Sequence, residues 1–270
     1  MKSANVAMTG TTGSMGSAVL KAALECKEFE HIRILARKPY PELVRLCTAY
    51  SDRLELVVGN LHDAAPVRKL VSGMDYVVNM AAVIPPKADH DIPAAETANI
   101  IGVRNLIDAI AEIKVNQPKL IHISTLAVYG DRNYKHPWAR VGDPLLPSAY
   151  DCYSTTKAIG ERLVLESNIE GWVVLRQTAM LYNKMLTNNM HDGLMFHTTF
   201  NGPLEWVTAE DSALLIKNIV CSDLAGRLDE NNFWKQVFNI GGGAKNRMTG
   251  YETFDQGFRT IGGSAKQYLK

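Results

Sequence analysis

The chain predicts an α/β fold: a parallel sheet doubly wound with helices on both faces, followed by a small C-terminal lobe. Three observations carry this. Short apolar runs alternate with helix-periodic segments up to about residue 175, and that alternation gives parallel strands joined by right-handed crossovers. The runs are rich in Val, Ile and Leu with little polar interleaving, as strands buried on both faces must be. A glycine-bearing turn joins the first run directly to the first helix.

In order, Asn5-Val6-Ala7-Met8 is the first strand and Ser17 to Leu24 the first helix. Ile32 to Ala36 is a strand, Pro41 to Ala49 a short helix, Leu54 to Val58 a strand closed by Gly59, Ala64 to Val71 a helix and Tyr76 to Asn79 the fourth strand. A long helix is expected from Ile92 to Lys114, because Asn99, Val103, Leu106, Ile107 and Ile110 recur at helical spacing. Leu120 to Ile123 is the fifth strand, Tyr150 to Glu166 a helix and Trp172 to Leu175 the sixth strand. Beyond Arg176 the pattern loosens. Met180, Met185, Met190 and Met195 are spread among polar residues and read as packing; Asp211 to Cys221 is a helix and Val237 to Ile240 a last strand before Gly241-Gly242-Gly243.

Composition narrows the class. Of 270 residues 46% are hydrophobic and 21% charged, with a formal net charge of +1. That balance argues against a strongly basic nucleic-acid surface, and no apolar run approaches a membrane span. The four cysteines, Cys26, Cys47, Cys152 and Cys221, form no C-x-x-C pair. They suit reduced thiols in the cytoplasm, with neither a disulfide framework nor a metal site expected. The first strand begins almost at residue 1, so no signal peptide is expected. H-E-x-x-H, G-x-S-x-G and a P-loop lysine are all missing. His122 on the fifth strand reads as a packed residue.

Three stretches carry chemistry. The first is Thr9-Gly10-Thr11-Thr12-Gly13-Ser14-Met15-Gly16. Between a strand and a helix, Gly10 permits the tight turn, Gly13 lets a pyrophosphate approach the backbone and Gly16 lets the helix pack closely. The N–H groups at the helix start face the phosphates, so Gly10, Thr12, Gly13, Ser14, Met15 and Gly16 are the candidate dinucleotide cradle of a Rossmann-like fold. The second is Tyr153-Ser154-Thr155-Thr156-Lys157. Positions four apart share a helix face, and an ammonium beside a tyrosine of pKa near ~10 lowers that value, so Tyr153 is expected to exchange protons near neutral pH. The third is Ser124-Thr125 at the carboxyl end of a parallel strand, where ligands of open α/β sheets bind.

Thr9 to Gly16, Ser124-Thr125 with Val128-Tyr129-Gly130, and Tyr153 to Lys157, in that order and at these separations, resemble the extended short-chain dehydrogenases/reductases, the NAD(P)-dependent nucleotide-sugar epimerase/dehydratase group. Lesser matches agree: Gly59-Asn60-Leu61-His62-Asp63 resembles the adenine-contacting G-D-L-x-D, Met80-Ala81-Ala82 the H-x-A-A after the fourth strand, Asn99 the helix asparagine, Val174-Leu175-Arg176 the L-R segment and Phe238-Asn239-Ile240-Gly241 the Y-N-I-G segment. The resemblance implies Thr125 as the catalytic hydroxyl, Tyr153 as acid/base and Lys157 as the residue that holds the nicotinamide ribose and tunes Tyr153. It adds Asn60, Leu61, Ala81, Ala82 and Asn99 as cofactor contacts. It also implies residues 1–175 as an NAD(P)-binding domain and 176–270 as segments of a substrate lobe, incomplete if the chain is a fragment, with strands returning to the main sheet.

The departures are informative. Dehydratases of the group carry Asp-Glu after the catalytic Thr, and here Leu126-Ala127 follow. Asn60 replaces the usual Asp, and Gln177 stands where many members have Pro. At the end of the second strand, an acid would bind the ribose 2′-OH and favour NAD. Arg37 and Lys38 stand there instead and suit a 2′-phosphate, so NADP is expected, with NAD the alternative. The expected activity is an oxidoreductase or epimerase (isomerase) acting on a nucleotide-sugar in the cytoplasm, with a homodimer compatible. A reductase of a non-sugar ketone or aldehyde, or a non-catalytic nucleotide sensor, are the alternatives. Arg227, Arg247 and Arg259 are candidates to meet a substrate pyrophosphate.

Overall fold

The structure, a computed structural model, describes residues 2–132, 135–182 and 200–260. Its main sheet holds β1 (Ala4–Thr9), β2 (Phe29–Ala36), β3 (Leu54–Val58), β4 (Tyr76–Asn79), β5 (Lys119–Thr125), β6 (Trp172–Gln177) and β9 (Gln236–Ile240). Their order is β3-β2-β1-β4-β5-β6-β9, and every neighbouring pair is parallel. This is the Rossmann-like, doubly wound arrangement, and its strand order reverses between β1 and β4.

Strand alternation sorts the core into two layers. Val6 and Met8 point to one face with Ile34, Val78, Ile121 and Val173. There they meet Val19, Leu20 and Ala23 of α1 (Ser14–Leu24) and Ile216, Ile219 and Val220 of α8 (Ala209–Leu224). Ala7, Leu35, Val77, Leu120 and Val174 point to the other face. Against them pack α3 (Ala64–Val71), α6 (Gly102–Ala111) and α7 (Cys152–Leu165), through Leu70, Leu106, Ile110 and Val164 among others. Helix α2 (Pro41–Ala49) joins β2 to β3.

Several elements differ from the sequence expectation. Helix α1 starts at Ser14, directly on the glycine turn, because Gly13 with extended backbone (φ −81°, ψ 168°) serves as its N-cap; the apolar periodicity begins only later, at Val19. The long helix starts at Ile92 but is composite: α5 (Ile92–Glu96), a π-helical turn over Thr97–Ile101, then α6. The π turn lies where α7 presses in, since a Cβ on Gly160 would stand 2.2 Å from the Asn99 carbonyl oxygen. It ends at Ala111 rather than Lys114, and Asn116 then takes a left-handed φ of 54°. A one-turn α4 (Lys87–His90) precedes it. Strand β5 runs two residues further than expected and carries Ser124 and Thr125 into the buried sheet.

Past β6, β7 (Ala179–Leu181), β8 (Pro203–Thr208) and β10 (Arg247–Thr249) form a second sheet in the order β10-β8-β7, parallel at one seam and antiparallel at the other. Helices α9 (Glu230–Phe233) and α10 (Gly250–Thr260) flank β9 and β10 in sequence. None of the small strands has a period-2 apolar signature; each exists by pairing across long sequence separations. Met180 lies on β7, whereas Met185, Met190 and Met195 lie outside the described residues.

Candidate active site

One cleft of about 1400 Å³ runs along the carboxyl ends of the strands, from Arg37 past the glycine turn to Trp206 and Arg247. Its floor at the switch point is set by sterics. Gly10 has φ +74°, and a Cβ there would lie 2.6 Å from the Ala81 nitrogen. The Thr9 hydroxyl accepts from the Met80 and Ala81 N–H groups (3.2 and 3.1 Å) and donates to Asn79 Oδ1 (2.6 Å), stapling the β1 turn to the β4 turn. A Cβ on Gly16 would lie 2.1 Å from the Gly10 carbonyl oxygen, so α1 packs on its own turn. Gly13 is different. Its Cβ would meet only the Gly10 oxygen, at 3.4 Å; the fold does not require glycine there, whereas a ligand approaching the backbone would. No side chain caps α1 and its first turn holds no acid, which leaves the helix N-terminus free to take an anion. This cradle fits a dinucleotide pyrophosphate.

Gly10, Thr12, Gly13, Ser14, Met15, Gly16, Arg37, Asn60, Leu61, Ala81 and Ala82 all line the cleft, together with Thr125, Tyr153 and Lys157. Two expected contacts do not. Lys38 turns aside, its Nζ 5.1 Å from the centroid of the Tyr40 ring. Asn99 is buried behind the wall, where its amide bonds Val83 in both directions (2.9 and 3.0 Å) and the Thr156 hydroxyl (3.0 Å). It shapes the cleft's lining backbone and does not itself line the cleft.

Thr125 ends β5, and its Oγ1 accepts from the Ala127 N–H (3.2 Å), starting the 3₁₀ turn Leu126–Tyr129. Asp151 caps α7 by accepting from the Ser154 N–H (2.9 Å), which sets Tyr153 and Lys157 one turn apart at the cleft edge. Burial pushes the Tyr153 phenol above its usual pKa, outweighing a hydrogen bond with the Thr125 side chain that favours the phenolate. The depression expected from Lys157 is therefore not found. The ammonium instead donates to the Ile123 carbonyl (2.6 Å) beneath the strand end. Burial lowers the Lys157 pKa to about 8, and the charge of Glu161 opposes that shift.

Glu161 is the residue the sequence reading missed, although Tyr153, Lys157 and Glu161 at i, i+4 and i+8 mark a single helix face. Fully buried, it accepts from the Ser124 hydroxyl (2.6 Å) and pairs with Arg176 (2.5 Å). Arg176 also donates to the Tyr129 hydroxyl, which donates to Asn239 Oδ1 (2.8 Å); Asn239 in turn donates to the Ala139 carbonyl (3.2 Å). The chain runs from beneath the Tyr–Lys pair to the loop carrying Trp138. His122 is buried and packed, as expected, with Nδ1 at 3.1 Å from Asn79 Nδ2; burial and then the Lys157 charge push its pKa well below the usual value.

The other half of the cleft is lined by Leu126, Ala127, Trp138, Tyr182, Trp206 and Arg247, among others. Arg247 stacks on the Trp138 ring (4.6 Å to the centroid) and pairs with Glu205 (2.8 Å). Arg259 pairs with Asp255 on α10, and neither it nor Arg227 lines the cleft. Among the described lining residues Glu205 is the sole carboxylate, against Arg37, Lys87, Arg132, Lys157 and Arg247. The field in the cleft favours an anionic ligand.

A glycine cradle at the switch point and a Thr–Tyr–Lys set on the neighbouring strand end and helix define an extended short-chain dehydrogenase/reductase. The chain belongs to the NAD dependent epimerase/dehydratase family, whose model matches residues 6–181. It is 31% identical over 160 residues, 58% of this chain and 46% of the other, to a dTDP-glucose 4,6-dehydratase of Mycolicibacterium smegmatis. It is also 42% identical over 81 residues, 30% of this chain and 24% of the other, to the ketoreductase sphI of Aspergillus fumigatus. These matches span less than half of each relative's length. Among solved structures, the dTDP-glucose 4,6-dehydratase DesIV of Streptomyces venezuelae, a double mutant with NAD and DAU bound, superposes with a TM-score of 0.77 at 18% identity, covering 96% of this chain and 82% of that one. A dTDP-glucose 4,6-dehydratase of Bacillus anthracis in complex with NAD gives 0.74 at 20% identity, covering 97% and 82%. Such likenesses show the fold. Among the described residues no helix is long and apolar enough to cross a membrane.

Proposed function

We propose that the chain is an NAD(P)-dependent oxidoreductase or epimerase that works at a carbinol or keto carbon of a nucleotide-sugar. The observation that carries this is the convergence of Thr125, Tyr153 and Lys157 in one cleft with the glycine cradle. NAD(P), when bound, supplies the hydride donor or acceptor. The protein's part is positional and acid–base. Tyr153 moves the proton at the reacting oxygen, and Thr125 orients that oxygen with its hydroxyl. Lys157, one helical turn from Tyr153, holds the nicotinamide ribose. Arg132 and Arg247 line the other half of the cleft, where they suit a nucleotide diphosphate. A water-eliminating role is disfavoured because Leu126 and Ala127 offer no acid–base pair. We place the enzyme in the cytoplasm, where its four free cysteines would stay reduced.

A second reading, an NADPH-dependent reductase of a non-sugar ketone or aldehyde, is favoured by the ketoreductase match and by the apolar Leu126, Ala127 and Trp138 lining. The test is to incubate dTDP-glucose, UDP-glucose or a panel of non-sugar ketones with the protein and cofactor and follow the substrate by NMR and the nicotinamide by absorbance. An epimer formed without net cofactor change supports the first reading; stoichiometric NADPH consumption with ketones alone supports the second. A 4-keto-6-deoxy sugar refutes the exclusion of dehydratase chemistry. In either case Tyr153→Phe is expected to lower turnover by roughly 10²–10⁴-fold with cofactor affinity unchanged. Wild-type turnover in that variant removes Tyr153 from the mechanism.

A further inference from the structure

Far from the cleft, two cysteines separated by 195 positions in sequence meet side by side. Cys26 lies in the turn after α1, Glu28 immediately before β2, and Cys221 in the last turn of α8. Cys26 Sγ is 3.5 Å from Cys221 Sγ and donates to Glu28 Oε2 at 3.1 Å. All three donor atoms lie within 4.8 Å of one another, and among the described residues this is the one group of His, Cys, Asp and Glu donors so placed. We propose that Cys26, Glu28 and Cys221 form a site for a single thiophilic divalent cation, zinc(II) foremost, with water in the fourth position.

The spacing is close to what the ion requires. Zinc–sulfur bonds of ~2.3 Å in tetrahedral array put two sulfurs about 3.8 Å apart, so Cys26 and Cys221 need part by only a few tenths of an ångström. Two thiolates favour zinc over magnesium or calcium. On binding, both thiol protons pass to solvent. Two thiolates, a carboxylate and the dication then sum to one negative charge, and Lys27 and Lys217, whose charges already act on Glu28, offset it.

Each half of the site is held independently of the other, so the convergence is not that of a slack loop. On the α1 side, Arg53 donates to the carbonyls of Leu24 (3.2 Å), Cys26 (2.8 Å) and Phe29 (2.5 Å), and the Ala4 N–H donates to the Glu28 carbonyl (2.8 Å). On the α8 side, Asp223 accepts from the Tyr76 hydroxyl (2.5 Å), Lys119 Nζ (2.8 Å) and Trp234 Nε1 (3.0 Å). The bound ion would fasten the end of α1 opposite the glycine cradle to α8. The spacing of the donors in sequence hides the site, because no two cysteines stand near each other in the chain.

The test uses the full chain, reduced with a phosphine, stripped with a chelator and titrated with cobalt(II). One equivalent per chain is expected to produce thiolate-to-cobalt charge-transfer absorption and tetrahedral d–d bands. One equivalent of zinc(II) is expected to abolish both and to raise the melting temperature. Cys221→Ser, at a half-buried position, is expected to lose the charge-transfer band while staying folded, and Glu28→Gln to keep a weaker one. A wild-type protein without the band at stoichiometric cobalt, or a band that survives in Cys221→Ser, overturns the proposal. The readout does not involve the cleft, so its failure leaves the proposed activity untouched.

Discussion

The glycine cradle makes two outwardly similar substitutions separable. In Gly16→Ala the new Cβ falls 2.1 Å from the Gly10 carbonyl oxygen, 2.7 Å from the Gly10 carbonyl carbon and 2.8 Å from Thr11 Cα. All three are backbone atoms of the turn, and none can rotate away. Overpacking of this kind costs up to about 3 kcal/mol, and the better helix propensity of Ala offsets about 1 kcal/mol of it. The net expectation is a loss of roughly 1–2 kcal/mol, or roughly 2–8 °C in melting temperature for a chain of this size. In Gly13→Ala the backbone angles suit alanine and the nearest contact is an ordinary 3.4 Å. The poorer N-cap costs at most about 1 kcal/mol. Its methyl, however, stands where a pyrophosphate must come close to α1, and NADH affinity is expected to fall by more than about tenfold, equivalent to roughly 1.4 kcal/mol. Thermal melting and NADH fluorescence titration on both variants separate the two effects. If Gly13→Ala binds NADH as the wild type does, or if Gly16→Ala melts with the wild type, the steric account of the cradle is wrong.

The remaining expectations concern charge. Arg37 lines the adenosine end of the cleft, and a charge-assisted bond to a 2′-phosphate is worth roughly 1.5–3 kcal/mol; NADPH should therefore bind about tenfold more tightly than NADH, and Arg37→Asp should reverse the order, whereas equal affinities in the wild type at low salt make Arg37 a solvated charge. Lys157, lowered by burial to about 8 from its ordinary 10.5, binds fewer protons folded than unfolded between those values. Its contribution to stability thus rises as pH climbs from about 8 towards 10.5 and is flat below, while any cofactor affinity that depends on its charge declines over the same span; NADH titrations from pH 6 to 10 showing no such decline would exclude a charged Lys157 from ribose binding. Glu161→Gln leaves the Arg176 guanidinium buried without its counter-charge, at a cost of roughly 3–5 kcal/mol, and a melting temperature within a degree or two of the wild type would refute the weight placed on that pair.

Much of this molecule follows from local patterns. β1 to β6 of the main sheet are legible because each holds a short, mostly apolar run of the kind a strand buried on both faces requires, and β9 at its edge because Val237, Phe238 and Ile240 run up to three consecutive glycines. The cradle is legible because glycines at this spacing between a strand and a helix mark a tight turn, although the backbone that bars a side chain at Gly10 is that of Met80 and Ala81. Tyr153 and Lys157 are legible because helical geometry alone puts residues four apart on one face. Tertiary structure decided the rest, and in each case the deciding force acts between groups far apart in the chain. Whether Asn99 meets a ligand or a backbone depends on Val83 and Thr156 arriving beside it. Whether Lys157 lowers the tyrosine pKa depends on the Ile123 carbonyl that takes its ammonium and on the burial that raises the phenol. The small sheet of β7, β8 and β10 exists only through partners far apart in sequence, and no residue-by-residue pattern encodes such pairing. The same holds for Cys26 and Cys221: packing of α1 on α8 puts their sulfurs in contact, a proximity set by the shape of two apolar helix faces and not by any spacing between cysteines.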